Sequence, residues 1–452
     1  MNRREFCKTL AVGAAGLALP DWLLAAVQSQ PSTKPASTAT SPAGKPNIIL
    51  ILTDDVGLDV VSCYGSDKYK TPQIDDLAKG GTRFEYCFAT PLCGPSRAQL
   101  LTGRYPFRTG MTSNNTGGVM KPANETMIPK VLKSAGYVTA SVGKWAQMPF
   151  QPSDWGFDEY LRFQASGKYW DAPYTVNGQE KELPKDKYLP DVMHEFLVDF
   201  ITRHKDQPFF VYYPMSHMHT KLLPTPDSPP DSKNLYADNM AYMDKLVGKL
   251  VAELDRLKLR ERTLVIFTGD NGTAEGAAKA GTVEGKTITG KKHAMQEGGS
   301  RVPLIVNWPG AAPAGAVCKD LTDFSDFFPT LAELADAKPP DKVTIDGRSF
   351  APQIKGQKGK PREWVYVELE GERYVRISRW KLTGEGEFFD MKEAPFKEIP
   401  VAADTTDAQA VAGRKHLQEV LGNLTGKAAS QAAPTRSTTR PGPGGRKKAL
   451  AQ

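Results

Sequence analysis

The chain has 452 residues, of which 40% are hydrophobic, and this length predicts one large domain accompanied by a smaller one. Its formal charge is +7, but residues 1–45 carry +3 and residues 423–452 carry +6, which leaves the middle of the chain at −2. Because the excess of basic residues lies in the two ends, the composition argues against a nucleic-acid-binding body, and we expect no nucleic-acid partner.

The N-terminus has the pattern of an export signal. Residues 2–8 include two consecutive arginines and resemble a twin-arginine signal, and a weakly apolar stretch follows over residues 10–20. A short membrane anchor is the alternative, but this stretch is too short and too rich in Ala and Gly to favour spanning. We therefore predict an export signal over residues 1–30 and a disordered spacer over residues 31–45. We expect a periplasmic or secreted bacterial protein with no stable membrane anchor.

Continuous apolar runs recur along the body of the chain, and helical patterns lie between them. A run that is apolar on both faces is typical of a central parallel strand covered by helices on each side. The runs are Pro46–Leu52, Pro208–Tyr213, Thr263–Thr268 and Val302–Val306, and the helical patterns are 191–204, 240–257 and 323–335. The alternation predicts an α/β fold, with a mostly parallel central sheet sandwiched by helices.

The pattern changes after a linker at residues 356–361. Short apolar runs with tight turns between them predict a small C-terminal antiparallel sheet, and a helix is expected near residues 405–421. From residue 423 onward large apolar residues are almost absent, which predicts a disordered basic tail over residues 423–452. We place the large domain at residues 46–358 and the small subdomain at residues 359–422.

Oxygen-bearing side chains follow two of the apolar runs. Asp54 and Asp55 come after the first run, and Asp270 and Asn271 come after the third. Ligand sites in such sheets gather at the carboxyl ends of the strands. Three carboxylates and an amide offer only oxygen, which suits a hard divalent cation such as Ca²⁺. The alternative is that the first pair caps a helix and the second forms a turn.

Five cysteines occur, and their spacing predicts neither a disulfide framework nor a zinc site. They are Cys7, Cys63, Cys87, Cys93 and Cys318. Cys93 opens the run Cys93-Gly94-Pro95-Ser96-Arg97, about forty residues after the strand that ends in Thr53-Asp54-Asp55. These features together resemble the signature of the sulfatase family, and the resemblance extends from about residue 46 to residue 390.

The resemblance implies that Cys93 is oxidised to 3-oxoalanine (formylglycine) by a formylglycine-generating enzyme and becomes the catalytic nucleophile. It also implies one Ca²⁺ ion per chain, bound by Asp54, Asp55, Asp270, Asn271 and the modified Cys93. Formylglycine forms a hydrate whose hydroxyl attacks sulfur, and the metal lowers the pKa of that hydroxyl.

Further catalytic residues follow from the same resemblance. Arg97, Lys144 and Lys292 match the positions of cations that balance the charge of the transferring group. The doublet Lys291-Lys292 leaves the register open, with Lys292 favoured. His219 matches the histidine that gives a proton to the leaving oxygen, and His217 competes with it.

One position departs from the family pattern. The family commonly continues Gly-Lys-Trp with a histidine that helps to release sulfate, but this chain has Ala146 and then Gln147. Either another group or water would then take the proton, or turnover is altered.

We predict a calcium-dependent hydrolase of sulfuric esters that acts on a sulfated carbohydrate or an aryl sulfate. Loops such as 150–189 and 273–289 would set its specificity. Aromatic residues of the first loop could stack on a sugar or simply pack the loop; they are Trp155, Tyr169, Trp170 and Tyr174. The alternatives are a phosphonate or phosphate ester hydrolase of the same superfamily, and a non-catalytic protein that binds sulfated glycans.

Overall fold

A computed structural model describes residues 44–145, 147–163, 169–274 and 281–431. Two sheets and ten α-helices are found in these ranges. The central sheet contains β1 (Asn47–Thr53), β2 (Thr82–Phe88), β3 (Val138–Lys144), β4 (Glu159–Phe163), β5 (Tyr174–Val176), β6 (Gln179–Lys181), β7 (Phe209–Met215), β8 (Thr263–Gly269), β9 (Leu304–Asn307) and β10 (Ala316–Asp323). The small sheet contains β11 (Val365–Leu369), β12 (Glu372–Arg376), β13 (Trp380–Thr383), β14 (Phe388–Asp390) and β15 (Ile399–Pro400).

The helices lie between these strands and after them. They are α1 (Pro72–Lys79), α2 (Cys93–Thr102), α3 (Pro106–Thr109), α4 (Ile128–Ser134), α5 (Leu189–Arg203), α6 (Leu235–Arg256), α7 (Glu297–Ser300), α8 (Phe327–Leu334), α9 (Ala351–Ile354) and α10 (Ala408–Gln431). The predicted helical patterns at 191–204, 240–257 and 323–335 correspond to α5, α6 and the region of α8.

The central sheet is mostly parallel, as predicted. Its strand order is β10-β2-β9-β8-β1-β7-β3-β4-β5-β6. Strand β1 pairs in parallel with β7 and with β8, and β3 pairs in parallel with β7 and with β4. The interpretation of Val302–Val306 as a parallel strand is wrong, because β9 runs antiparallel to both β8 and β2. A buried strand is apolar on both faces whichever way it runs, so the apolar pattern could not give its direction.

Strand β1 shows why the sheet is covered on both faces. Ile48, Leu50 and Leu52 pack into a core with α2, α4 and α8, whereas Ile49 and Ile51 pack into a second core with α1, α5 and α6. Alternate side chains of a strand point to opposite faces, and all five are fully buried here. The predicted sandwich of helices around the sheet is confirmed.

The small sheet is antiparallel throughout and packs against α10. Trp380, Leu382 and Phe388 of the sheet share an apolar cluster with Ala410 and Leu417 of the helix. This confirms the predicted C-terminal antiparallel sheet. The helix runs to residue 431, past the predicted start of the tail at 423, while the domain boundaries themselves stay predictions.

The predicted export signal, almost all of the predicted spacer and residues 432–452 lie outside the described residues. In the described ranges, every helix is too short or too polar to cross a lipid bilayer.

A buried ion pair joins the small sheet to helix α7. Arg376, at the end of β12, pairs through Nη1 with Glu297 at the start of α7, and both side chains are 1% exposed. Arg376 also donates from Nε to the carbonyl oxygen of Ile377 (3.1 Å) and from Nη2 to that of Ser378 (3.2 Å). Since Glu297 lies five residues after Lys292, the ion pair fixes the segment that carries this lysine.

Removal of Arg376 should therefore destabilise the protein strongly. Arg376→Met leaves Glu297 buried without its main counter-charge, and we expect a loss of about 3–5 kcal/mol in the free energy of unfolding, measured by urea denaturation. Arg379→Met is the matched control, because Arg379 pairs with Asp390 in the same sheet but is 46% exposed. The control should change stability much less; equal losses in the two variants would contradict this account.

Candidate active site

The carboxyl ends of the central strands bring the predicted oxygen ligands together. Asp54 follows β1, and Asp270 follows β8 beside it. The backbone ladder extends to both, since the amide of Asp270 donates to the carbonyl oxygen of Thr53 at 2.8 Å. Asp55 has a φ of 59°, a left-handed conformation, and its amide donates to Oδ1 of Asp270 at 3.0 Å. Asn271 donates from Nδ2 to Oδ1 of Asp55 at 2.8 Å.

Two cations are buried against these carboxylates. Lys144, the last residue of β3, places Nζ 2.5 Å from Oδ2 of Asp54. Arg97, on α2, donates from Nε and Nη2 to Oδ2 of Asp270 at 3.1 and 2.8 Å, and Nη2 lies 3.6 Å from Oδ1 of Asp54. All four side chains are 0% exposed. Each charge is therefore compensated by an opposite charge rather than by water.

The two lysines of the doublet form ion pairs with two different carboxylates. Nζ of Lys292 lies 2.7 Å from Oδ1 and 2.9 Å from Oδ2 of Asp55. Nζ of Lys291 pairs instead with Asp59, which also accepts a hydrogen bond from Thr273. The geometry thus places Lys292, the favoured residue of the doublet, at the carboxylate cluster.

The pKa values of the two central carboxylates of the cluster are shifted in opposite directions. Burial raises the pKa of Asp54, but the charges of Lys144, Arg97, His219 and Lys292 together bring that pKa well below its ordinary value. Burial and the neighbouring charge of Asp54 raise the pKa of Asp270 above its ordinary value. Crowded carboxylates of this kind would be relieved by a bound cation.

Cys93 begins α2 and faces the same cluster. Its Sγ, one oxygen of Asp54 and one oxygen of Asp270 lie within 4.8 Å of one another. Burial raises the pKa of its thiol. Ser96, one helical turn further, places Oγ 2.5 Å from the carbonyl oxygen of Asp270, which ties the first turn of α2 to the end of β8. The four cysteines in the described ranges are free thiols.

The residues present fit a hard divalent cation. Oδ1 of Asp54 and Oδ1 of Asn271 are buried, and neither has a hydrogen-bond partner among the described residues. A buried oxygen without a donor costs free energy unless a cation binds it. Carboxylate and amide oxygens are the ligands that Ca²⁺ prefers.

The two candidate histidines have different surroundings. His217 is buried among Tyr169, Tyr188 and Tyr242, with ring centroids 5.9 to 6.4 Å away, and burial lowers its pKa to about 3. His219 is partly exposed, and its charge acts on Asp54. Its Nδ1 lies 2.8 Å from the carbonyl oxygen of Thr220, so Nδ1 carries a proton and Nε2 remains for a ligand. Of the two histidines, His217 is thus enclosed by aromatic side chains and His219 is the accessible one.

The loops around the site are described in part. Ala146, residues 164–168 and residues 275–280 lie outside the described residues. Trp155 and Tyr169 are almost fully buried and pack their loop, Tyr174 is half-buried, and Trp170 is 37% exposed. Of these four aromatic residues, Trp170 is the most exposed.

Asn114 contacts the predicted nucleophile, although no motif or periodicity in the sequence singled it out. Its Nδ2 lies 3.4 Å from Sγ of Cys93, and its Oδ1 accepts a hydrogen bond from the amide of Gly94 at 2.9 Å. Asn114 lies 21 residues after Cys93 in an irregular segment, so neither spacing nor periodicity connects the two.

Comparison with known proteins gives the family. The sulfatase family model matches residues 46–337, and the model for the C-terminal part of N-sulphoglucosamine sulphohydrolase matches residues 290–427. N-acetylgalactosamine-6-sulfatase of Canis lupus familiaris is 33% identical over 379 residues, which cover 74% of this chain and 71% of that protein. Arylsulfatase A of Homo sapiens is 32% identical over 386 residues, which cover 75% of each chain.

A solved structure agrees with these relatives. Ps i-CgsB in complex with k-i-k-neocarrahexaose superimposes with a TM-score of 0.72 at 28% identity, and the alignment covers 83% of this chain and 92% of that one. The family model matches more than half of the chain. The chain therefore belongs to the sulfatase family and is a sulfuric ester hydrolase.

Proposed function

We propose that this sulfatase uses Cys93, matured to formylglycine, together with one Ca²⁺ ion bound by Asp54, Asp55, Asp270, Asn271 and residue 93. The convergence of Cys93, Asp54 and Asp270 within 4.8 Å of one another is the observation that carries the proposal. When present, the cation would neutralise sulfate oxygens, and the hydrated aldehyde would supply the nucleophilic hydroxyl.

The remaining charged residues have distinct roles in this proposal. Lys144 and Lys292 bind the oxygens of the sulfate group, whose negative charge must be balanced as the S–O bond breaks. Arg97 holds Asp270 through two hydrogen bonds and adds positive charge near the nucleophile. His219 gives its Nε2 proton to the ester oxygen that leaves, so that the products are an alcohol and sulfate.

The substrate that we propose is a sulfated carbohydrate, with an aryl sulfate as the alternative. The support comes from relatives, since one similar protein is an N-acetylgalactosamine-6-sulfatase and a similar solved structure holds a neocarrahexaose. Trp170, which is 37% exposed, would stack on a sugar ring of the substrate.

We propose that a formylglycine-generating enzyme matures the chain and that a twin-arginine signal exports it to the periplasm. The pattern of residues 2–20 supports the second part. The twin-arginine route carries folded proteins, so oxidation of Cys93 could precede export.

The proposal is tested by mass spectrometry of the peptide that contains Cys93, from protein made in a host able to form formylglycine. We expect a mass about 18 Da below that of the cysteine peptide, as replacement of the thiol by an aldehyde requires. The same preparation should hydrolyse a chromogenic aryl sulfate faster than the matched phosphate, and Cys93→Ala should abolish this hydrolysis.

Other outcomes would point to the alternatives. An unmodified thiol in several competent hosts, without turnover, would favour a non-catalytic protein that binds sulfated glycans. Faster hydrolysis of the phosphate would favour a phosphoester hydrolase of the same superfamily.

The role of His219 predicts a dependence on the leaving group. For a sugar sulfate or alkyl sulfate, whose leaving oxygen needs a proton, His219→Ala should lower kcat by about 10²–10⁴-fold. For 4-nitrophenyl sulfate, whose leaving group is stable as an anion, the loss should be much smaller. His217→Phe is the control, since His217 is buried among tyrosines and should leave both rates near wild type. Equal losses on both substrates in His219→Ala would contradict the assignment.

A further inference from the structure

A rigid turn presents the carboxamide of Asn114 to the nucleophile. The turn spans Ser113 to Thr116, and it is closed by a hydrogen bond from the amide of Thr116 to the carbonyl oxygen of Ser113 (3.2 Å). The side chain of Thr116 supports the turn twice, donating to the same carbonyl oxygen (2.9 Å) and accepting from the amide of Ser113 (3.0 Å). Asn114 is therefore held by backbone contacts on both sides.

The orientation of the Asn114 amide follows from its neighbour. The amide of Gly94 donates to Oδ1 of Asn114 at 2.9 Å. Since an N–H group cannot face another N–H group favourably, this bond fixes Oδ1 towards Gly94 and leaves Nδ2 towards residue 93. Nδ2 lies 3.4 Å and Oδ1 3.6 Å from Sγ of Cys93, and of these two atoms only Nδ2 can donate a hydrogen bond.

Gly94 provides the space that Asn114 occupies. A Cβ atom at position 94 would lie 2.6 Å from Oδ1 of Asn114 and 2.9 Å from Cε of Met111. The C-x-P-x-R pattern leaves this position open, so the need for glycine here arises from the local packing. The contact between Gly94 and Asn114 is thus a feature of how this chain surrounds its nucleophile.

We propose that Asn114 positions the nucleophile, by donating a hydrogen bond from Nδ2 to the group carried on Cβ of residue 93. The inference rests on the proposed function, in which that group is the hydrated aldehyde. Ala146 supplies no hydrogen-bond donor where the family pattern has a histidine. A nucleophile that is already held in its reactive orientation reacts faster than one that must first rotate into that orientation.

Three variants separate the parts of this proposal. Asn114→Leu has a similar size and removes both hydrogen bonds. Asn114→Asp keeps an acceptor for the amide of Gly94 but loses the Nδ2 donor. Gly94→Ala keeps the Asn114 carboxamide and Cys93, Pro95 and Arg97 of the motif, but forces the carboxamide away. Asn115→Leu is the matched control, because Asn115 is exposed on the same turn.

The readouts are formylglycine content by mass spectrometry, kcat and KM on a chromogenic sulfate per formylglycine, and the dissociation constant of sulfate by calorimetry. All three test variants should lose about 10- to 100-fold in kcat, the loss expected for one hydrogen bond to a reacting group. In Asn114→Leu, which adds no charge, KM and sulfate affinity should stay within about twofold of wild type. Asn115→Leu should match wild type in every readout.

Each other outcome overturns the inference. If Asn114→Asp keeps the wild-type kcat, the contact with Gly94 is the whole role of Asn114, and the donor has none. If Asn114→Leu weakens sulfate binding as much as it lowers kcat, the role of Asn114 is structural. The same conclusion holds if Asn114→Leu loses its thermal unfolding transition while Asn114→Asp retains both its fold and its kcat. If the wild-type protein itself carries no formylglycine or hydrolyses no sulfate, the proposed function fails first, and that result precedes any comparison of variants.

Discussion

The structure of this sulfatase depends on the balance of charge at the carboxyl edge of its central sheet. Asp54 and Asp270 are fully buried with Lys144 and Arg97, and Asp55 pairs with Lys292, whose side chain is 10% exposed. An unpaired charge buried at this edge would cost much free energy, so each charged side chain requires its oppositely charged partner. The formal charges of these three carboxylates and three cations cancel, and a dication would add the positive charge that a sulfate ester requires.

The fold places these charges with short segments of chain. Parallel strands β1, β3 and β8 end at the same edge, so residues at positions 54, 144 and 270 meet without any long connection. Helix α2 carries both Cys93 and Arg97 to this edge, because positions 93 and 97 lie four residues apart on one face of the helix. Lys292 arrives from an irregular segment that the buried pair of Arg376 and Glu297 anchors to the small sheet.

Much of this could be predicted from the sequence, because the strands are marked by apolar runs and the chemistry by residues that follow them. The strand at Pro46–Leu52 and the carboxylates after it required only periodicity and the rule that sites gather at strand ends. The catalytic roles proposed for Cys93 and His219 depended on the resemblance to sulfatases. The direction of β9 could not be predicted, since a strand buried on both faces has the same apolar pattern whether it runs parallel or antiparallel to its neighbours.

Contacts that depend on irregular backbone were beyond the sequence. Asn114 reaches Cys93 through a turn whose conformation is set by Ser113 and Thr116, and no spacing rule predicts such a contact. The division of Lys291 and Lys292 between Asp59 and Asp55 likewise follows from the path of a loop. Both are tertiary effects that local patterns do not encode.

The central claim is that the buried carboxylates form a cation site, and calorimetric titration of metal-stripped protein with Ca²⁺ tests it most directly. The account predicts one Ca²⁺ ion per chain, with affinity lowered more than about tenfold by Asp54→Asn or Asn271→Leu, since each removes an oxygen ligand. Asp59→Asn, a change at a buried carboxylate that pairs with Lys291, should leave the affinity unchanged. Binding that is absent in the wild type, or that is indifferent to Asp54 and Asn271, would contradict the account.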